Sequence, residues 1–305
     1  MSNVELADTP AAPPETRGRP QERATVLPSL RFFANELRVT FFRRRNQLLL
    51  LVAALFPLLI GIGLKVAAPH GGGGGASGPG SSGAAYFSQL AGNGVFLTFV
   101  ALSLLLILVL PMVVGVVAGD SIAGEAGYGT LRYLLAVPAG RTRLLAVKYA
   151  VIAVWAVAAT FVVSVIALLT GVALFGAGPV TLLSGTTVSL ADGLVHVLWV
   201  TLYVCAAMAA LGAIGLAIST FTEHAIGAIA ALLVLVVASE VVENIPQFAP
   251  VTPYLPTDWW LSFDSLLRTP IDTTTLWHGL LSFAVYAAIF LLIAWARFTS
   301  ADVTS

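Results

Sequence analysis

The chain has 305 residues, of which 58% are hydrophobic and 10% are charged, and its mean hydropathy is +0.93. A soluble domain would carry about a quarter charged residues, so the composition excludes a water-soluble globule and predicts an integral membrane protein. The 15 Lys and Arg residues balance the 15 Asp and Glu residues, so the total charge predicts no attraction to nucleic acid. The single cysteine, Cys205, lies in an apolar run and leaves no internal disulfide to form.

Two different segments precede the first apolar run. Residues 1–28 are rich in Pro, Ala, Glu and Arg without apolar periodicity, which predicts a disordered cytoplasmic tail. Residues 29–46 instead predict an amphipathic helix in the membrane interface. Its apolar side consists of Leu30, Phe33, Ala34, Leu37 and Phe41, and its basic side consists of Arg31, Arg38 and Arg45. A solvated helix is the weaker alternative, because its Phe side chains would face water.

Six apolar runs follow, and each is long enough for a bilayer-spanning helix of about 20 residues. They cover residues 47–66, 95–118, 149–175, 194–218, 225–244 and 277–297. The first run does not fit a cleaved or twin-arginine signal, because 46 residues precede it and no clear small-residue cleavage site follows it. We therefore expect an all-α integral membrane protein with a six-helix domain over residues 47–298 and a short cytoplasmic tail over 299–305.

The distribution of Lys and Arg predicts the orientation of this domain. Eight arginines precede the first run and four basic residues lie in the 119–148 connection. The 67–94, 176–193 and 245–276 connections together contain only Arg268. Because cytoplasmic loops carry the excess of Lys and Arg, both termini are predicted to be cytoplasmic.

Prolines and glycines within the runs predict kinks and close helix packing. Pro57 and Pro111 should kink the first and second spans, because each removes one backbone hydrogen bond. Small residues at helical spacing let helices approach closely. Those expected to do so here are Gly115, Gly119, Gly212 and Gly215.

The connection between the second and third runs carries the most informative pattern. It begins with Asp120 and Glu125, passes through a Gly-Tyr-Gly-Thr turn at 127–130 and a short amphipathic segment, and is broken by Pro138. A short surface helix between Gly hinges and a Pro stop could present fixed polar groups to a cytosolic partner. An ordinary positive-inside loop that only sets topology would explain the same composition.

The order of residues in this connection resembles the hallmark of permease subunits of type-2 class ABC exporters, the ABC-2 type transporter permease family. The similar features are Glu125, the Gly129-Thr130-Leu131-Arg132 run, a Leu-rich stretch, Pro138, a basic pair and a Leu-Leu-x-x-Lys start of the next span. The six-span plan, the interfacial helix and the long outer segment before the last span extend the resemblance over residues 29–300. In that family the connection forms a coupling helix that lies in a groove of a separate ATPase subunit. The resemblance therefore implies ATPase coupling by Asp120, Glu125, Gly129, Thr130, Leu131 and Arg132.

The same resemblance implies a permease subunit that moves a substrate outward and pairs with a second permease as a homodimer or heterodimer. It also implies residence in a bacterial plasma (inner) membrane, contact with lipid, and a second, smaller ATPase contact at Ser219–His224. No Gly-Lys dipeptide occurs in the chain, so no Walker motif is present. We expect no cofactor and no catalytic site in this chain, with ATP and Mg²⁺ on the partner ATPase. Two other classes stay open: an ion-coupled secondary transporter and a non-transporting membrane assembly protein.

Polar and aromatic residues near the predicted outer side suggest further sites. Glu240 and Glu243 share a helix face, where they could line an outer substrate path or simply end the span. His196 and His278 also fall toward the predicted outer side, so they could be considered metal ligands together with the two glutamates. The sequence does not favour such a site, because the two histidines do not share a local ligand spacing. The Trp259-Trp260 pair is typical of an interfacial aromatic anchor. Several prolines in the segment from residue 246 to 276 predict short surface or re-entrant helices.

Overall fold

The computed structural model describes residues 26–67, 93–127, 140–181, 184–268 and 270–300. Within these residues, six helices are long and apolar enough to cross a membrane. The predicted fold class, an all-α integral membrane protein with six spans, is confirmed.

The elements follow one another in a simple order. The first half contains α1 (Val26–Phe42), α2 (Arg44–Ala67), α3 (Phe96–Ile107), α4 (Val109–Gly127) and α5 (Arg141–Phe175). A two-stranded antiparallel hairpin of β1 (Val180–Thr181) and β2 (Thr187–Val188) leads to α6 (Leu190–Ser219) and α7 (Ala225–Glu243). Three short 3₁₀ helices (Pro246–Phe248, Thr252–Tyr254 and Trp260–Leu267) precede α8 (Thr273–Ser300).

Contacts between helix termini define two ends of the bundle. At one end, Arg141 Nη1 donates to the carbonyl of Thr299 at 3.0 Å, and Arg43 pairs with Asp120. At the other end, Lys65 Nζ donates to the carbonyl of Leu174 at 2.6 Å. Successive spans therefore alternate in direction. We call the first end, which holds Arg43, Asp120 and Arg141, the arginine-rich end, and the second the opposite end.

The second span is two helices rather than the single helix predicted over 95–118. The helix breaks at Leu108, whose φ and ψ are −145° and −44°. Pro111 explains the position of the break, because a proline lacks the N–H that would bond to Ile107 and its ring crowds that carbonyl. The kink predicted at Pro111 is confirmed as an interruption, whereas α2 continues through Pro57 as one helix.

The middle of the bundle is built from α4, α5 and α6. In the most apolar 18-residue stretch of α6, 72% of the residues are buried, whereas in the corresponding stretch of α2 only 17% are buried. Trp155 of α5 is fully buried, donates through Nε1 to the carbonyl of Val113 at 3.1 Å, and meets Phe41 edge to face at 5.1 Å between ring centroids. The helix α1 is thus packed onto the central helices through Phe41. The outer faces of α2, α7 and α8 carry exposed apolar side chains, as membrane-facing helices do.

Glycines allow the central helices to approach one another closely. A Cβ on Gly119 would lie 3.0 Å from the backbone N of Ile229, and one on Gly215 would lie 2.7 Å from Ala118 Cβ. The predicted close packing at these positions is confirmed, and Gly115 and Gly212 also face neighbouring helices. Among the described glycines, the closest approach to a backbone atom was not predicted. A Cβ on Gly94 would lie 2.0 Å from the carbonyl O of Gly171, and one on Gly171 would lie 1.9 Å from the carbonyl O of Gly94.

The segment after α7 folds back onto the bundle at the opposite end. Its last 3₁₀ helix contacts α6 and α8 and buries Trp260, Phe263 and Leu267. Tyr203 of α6 donates through its hydroxyl to the carbonyl of Trp259 at 2.8 Å. The interpretation of Trp260 as a membrane anchor is therefore wrong: the indole is 2% exposed because it fills the space between α6 and α8.

Candidate coupling site and charge network

An acidic triad joins three helices at the arginine-rich end. Lys148 of α5 donates from Nζ to Oε1 of Glu36 in α1 and to Oε1 of Glu125 in α4. The Lys148 side chain is 4% exposed, and the two glutamates are 20% and 24% exposed. One ammonium thus serves two carboxylates, so the triad carries a net charge of about −1 when all three groups are ionised. Because such a poorly hydrated ammonium needs these partners, the triad fixes α1 against α4 and α5.

A basic triad lies beside it. Oδ2 of Asp120 in α4 accepts from Arg43 Nη1 at 2.5 Å and from Arg45 Nη2 at 2.8 Å. Asp120 is 12% exposed and the arginines are about half exposed, so the triad has a net charge of about +1. The turn that presents the arginines is held by Asn46, which is buried and donates through Nδ2 to the carbonyl of Thr40 at 2.8 Å.

A cavity of about 260 Å³ separates the two triads. All six charged residues of the triads line it, together with Thr40, Asn46 and Ser121. Since a water molecule occupies about 30 Å³ of liquid, the cavity has room for several waters or one small polar group. Its walls combine three cationic and three anionic side chains whose formal charges cancel.

A buried serine ties the end of α6 to the end of α4. Ser219 Oγ accepts from the backbone N–H groups of Ile122 at 3.1 Å and Ala123 at 2.8 Å, and it donates to the carbonyl of Gly119 at 3.0 Å. Gly119 and Ala123 are four residues apart, so their carbonyl and amide are the natural partners of one α-helical hydrogen bond. The hydroxyl of a second helix therefore bridges one turn of α4, Gly119 to Ala123, close to the end of that helix.

The predicted coupling residues divide into two groups. Asp120 and Glu125 lie in α4, and their carboxylates are engaged in the basic and acidic triads. Gly129, Thr130, Leu131 and Arg132 lie outside the described residues. The second predicted contact, Ser219–His224, is the turn between α6 and α7. It lies close to the start of the 128–139 connection, since a Cβ on Gly127 would be 2.8 Å from the carbonyl O of Glu223.

Glu240 and Glu243 lie at the opposite end, where α7 meets the segment that follows it. Glu243 Oε1 accepts a hydrogen bond from the hydroxyl of Thr257, which is 2% exposed. The carbonyl of Glu240 accepts from Asn244 Nδ2 at 2.7 Å. Burial raises the pKa of the nearby Asp258 above its ordinary value. This geometry gives Glu243 a contact that holds the returning segment, and the role of both glutamates in a substrate path stays a prediction.

The start of α8 at the same end is capped by Asp272. Its Oδ1 accepts from the backbone N–H groups of Thr274 at 3.1 Å and Thr275 at 3.3 Å. Hydrogen bonds from the hydroxyl and amide of Thr275 lower the pKa of Asp272. The cap satisfies helix N–H groups that have no partner within the helix, and so fixes where the last span begins.

Sequence reasoning did not identify Glu36 and Lys148 as site residues. Lys148 was identified only as a basic residue and as the lysine of the Leu-Leu-x-x-Lys start of the third span, and Glu36 only as part of the predicted amphipathic helix. Each nevertheless stands out locally, because Glu36 is the one acid among the arginines of 29–46 and Lys148 lies within an apolar stretch. A lone acid and a lone ammonium in membrane-adjacent helices are candidate partners for each other.

The architecture defines a polytopic helical membrane protein in which most basic residues of the described chain, and its shorter connections, lie at one end. Comparison with known protein families identifies its family: the family described as ABC-2 family transporter protein matches residues 42–239 of this chain. The match covers more than half of the chain and extends from the start of the first span into the fifth, so the chain belongs to this family and is a permease of the ABC transporter class. No curated protein matches the chain.

Proposed function

We propose that this chain is the membrane-spanning permease subunit of an ATP-driven exporter that moves its substrate outward. A separate ABC ATPase binds and hydrolyses ATP with Mg²⁺. The observation that supports this most is the adjacency of two short connections at the arginine-rich end. Gly127, the last residue before the 128–139 connection, lies beside the Glu223 carbonyl of the Ser219–His224 turn, so one docked subunit can contact both.

The contacts at this end supply a route for mechanical coupling. A force on the 128–139 connection acts on the end of α4. The hydrogen bonds of Ser219 transmit this force from α4 to α6. The ion pairs of Lys148 with Glu125 and Glu36 transmit it from α4 to α5 and α1. Because α4, α5 and α6 form the middle of the bundle, movement at their ends changes the packing of the transmembrane core. Asp120 and Glu125 act in this scheme by holding the ends of the helices, and residues 129–132 make the contact with the ATPase.

The exporter scheme assigns the arginine-rich end to the cytoplasm. Its excess of Lys and Arg over the opposite end fits the positive-inside rule, and both termini are then cytoplasmic. The membrane is the bacterial plasma membrane, and two permease chains assemble through the apolar outer faces of the bundle. Glu240 and Glu243 then lie at the outer end, where they can line the exit path.

Reversal of the charge at Arg132 tests docking on the ATPase. Glu125 is less suitable, because its carboxylate bonds to Lys148 and its replacement would disturb the fold. The Arg132→Glu variant should insert normally but bind the ATPase at least about tenfold more weakly. An ATPase surface complementary to an arginine would repel the carboxylate that replaces it. Co-purification of the two subunits and the rate of ATP hydrolysis measure the effect.

The matched control for this variant is Arg268→Glu, which makes the same charge change at an exposed residue of the opposite end. It should leave both readouts unchanged. Undiminished ATPase binding by a well-expressed Arg132→Glu variant would reduce the 128–139 connection to a topology signal.

A further inference from the structure

We propose that the cavity between the acidic and basic triads binds the zwitterionic headgroup of a membrane phospholipid, one that carries a phosphate and a primary ammonium. The phosphate lies at the Arg43 and Arg45 side, and the ammonium lies at the Glu36 and Glu125 side. This site is independent of the proposed ATPase partner, because it is formed by this chain alone.

The charge arrangement selects a zwitterion over a simple ion. The acidic triad has one ammonium for two carboxylates, and the basic triad has two guanidinium groups for one carboxylate. A simple anion would be repelled by the first triad and a simple cation by the second. A ligand with both charges, separated by a short linker, meets an opposite charge at each end, which is the condition for electrostatic complementarity.

The hydrogen-bonding groups fit the same ligand. A guanidinium carries five N–H donors, and Asp120 accepts a hydrogen bond from one nitrogen of each of Arg43 and Arg45. Both arginine side chains are about half exposed, so further donors can reach a phosphate. A primary ammonium has three donors for the carboxylates of Glu36 and Glu125, whereas a quaternary ammonium has none.

The position of the cavity suits a lipid rather than a soluble molecule. Arg43, Arg45 and Asn46 line it. Arg45 and Asn46 lie in the first turn of α2, which is a membrane span, and Arg43 directly precedes that helix. Within the next three turns of α2, large apolar side chains are exposed at helical spacing: Leu48 61%, Leu51 61%, Val52 46% and Leu55 44%. An acyl chain can lie along this stripe while its headgroup occupies the cavity. The volume of about 260 Å³ is below the range of about 300–1,000 Å³ for sites that enclose a whole drug-sized ligand, so it suits a headgroup alone.

Lipid titrations of the purified full chain in detergent, followed by native mass spectrometry, test the site. The probes are phosphatidylethanolamine, phosphatidylglycerol and phosphatidylcholine with the same acyl chains, and soluble glycerophosphoethanolamine. Phosphatidylethanolamine should bind about tenfold more tightly than either of the other lipids, because only it offers both the phosphate and the ammonium donors. Equal binding of the three lipids would overturn the proposal. Binding of glycerophosphoethanolamine as tight as that of phosphatidylethanolamine would also overturn it, since the ligand would then be a soluble zwitterion.

Two conservative variants separate the two sides of the cavity. Glu36→Gln removes one carboxylate and gives the walls a net charge of about +1, so the preference should shift about tenfold toward phosphatidylglycerol. Arg45→Gln removes a phosphate donor and should weaken both phosphatidylethanolamine and phosphatidylglycerol. The control, Arg38→Gln, removes a charge from an exposed residue of α1 that does not line the cavity, and it should keep the lipid preference of the unmodified protein.

The two variants test the site independently, so a folding failure of one leaves the other decisive. An unchanged lipid preference in a folded Glu36→Gln variant, or unchanged affinities in a folded Arg45→Gln variant, would place the bound lipid elsewhere on the protein. An equal shift in the Arg38→Gln control would reduce the effect to the total charge of α1 and would overturn the site.

Discussion

Replacement of Lys148 by methionine is expected to lower the free energy of unfolding by about 3 kcal/mol. Removal of one partner from a buried ion pair costs about 3–5 kcal/mol, and the low end applies because Glu36 and Glu125 keep 20% and 24% of their side-chain exposure. Without the ammonium, two carboxylates are left facing each other between α1, α4 and α5. Denaturant or thermal unfolding of the purified protein in detergent measures the loss.

Two further variants show whether the effect comes from the triad. The triple variant Lys148→Met, Glu36→Gln and Glu125→Gln removes all three charges and should recover most of the lost stability, because a neutral cluster leaves no buried charge without a partner. Lys65→Met removes an exposed lysine at the opposite end and should change stability by less than about 1 kcal/mol. A Lys148→Met protein as stable as the unmodified one would show that the triad does not hold α1 in place.

Substitution of Gly171 by alanine is expected to be at least as damaging, with a loss of about 3 kcal/mol or more. The new methyl group would lie 1.9 Å from the carbonyl O of Gly94 and 3.0 Å from Leu97 Cβ. The first of these is a backbone atom that cannot rotate away, so α3 and α5 must separate at the opposite end. Overpacking of this kind typically costs about 1–3 kcal/mol and more where the neighbours cannot move. Unfolding measurements in detergent detect it.

The matched control is Gly63→Ala in α2, where no atom lies within 4 Å of the new Cβ. This variant should be neutral or more stable by up to about 1 kcal/mol, because alanine favours a helix over glycine. If Gly171→Ala and Gly63→Ala had the same effect, the close approach of Gly94 and Gly171 would carry no packing energy.

Much of the fold could be predicted from local features of the sequence. The six spans follow from the length of the apolar runs, and the interruption of the second span follows from Pro111. Gly115 and Gly119 were identifiable because a small-residue pair at helical spacing is a local pattern. Gly94 and Gly171 were not, because each is isolated in sequence and their contact depends on how α3 crosses α5.

The candidate site was predictable only in part, for the same reason. Asp120 and Glu125 stood out because they follow an apolar span in a recognisable connection. Asp120 pairs with Arg43 and Arg45, which lie 77 and 75 residues away in sequence. Lys148 joins Glu125 to Glu36, which is 112 residues from the lysine. Pairing over such separations leaves no local signal. The sequence gives no signal for the bridge made by Ser219 either, because a serine near the end of a span is common. Only the structure shows that its hydroxyl bonds to an amide and a carbonyl within one turn of α4.

For the exporter account to hold, the arginine-rich end must face the cytoplasm and receive an ATPase. Thiol labelling tests it directly in a Cys205→Ser background that carries Glu223→Cys or Thr274→Cys, since residues 223 and 274 are exposed at opposite ends of the bundle. The account predicts that an impermeant reagent labels position 274 in intact cells, labels position 223 only in inverted vesicles, and labels position 223 more slowly when the ATPase is bound. Labelling of position 223 in intact cells, or a rate at that position unaffected by saturating ATPase, would contradict it.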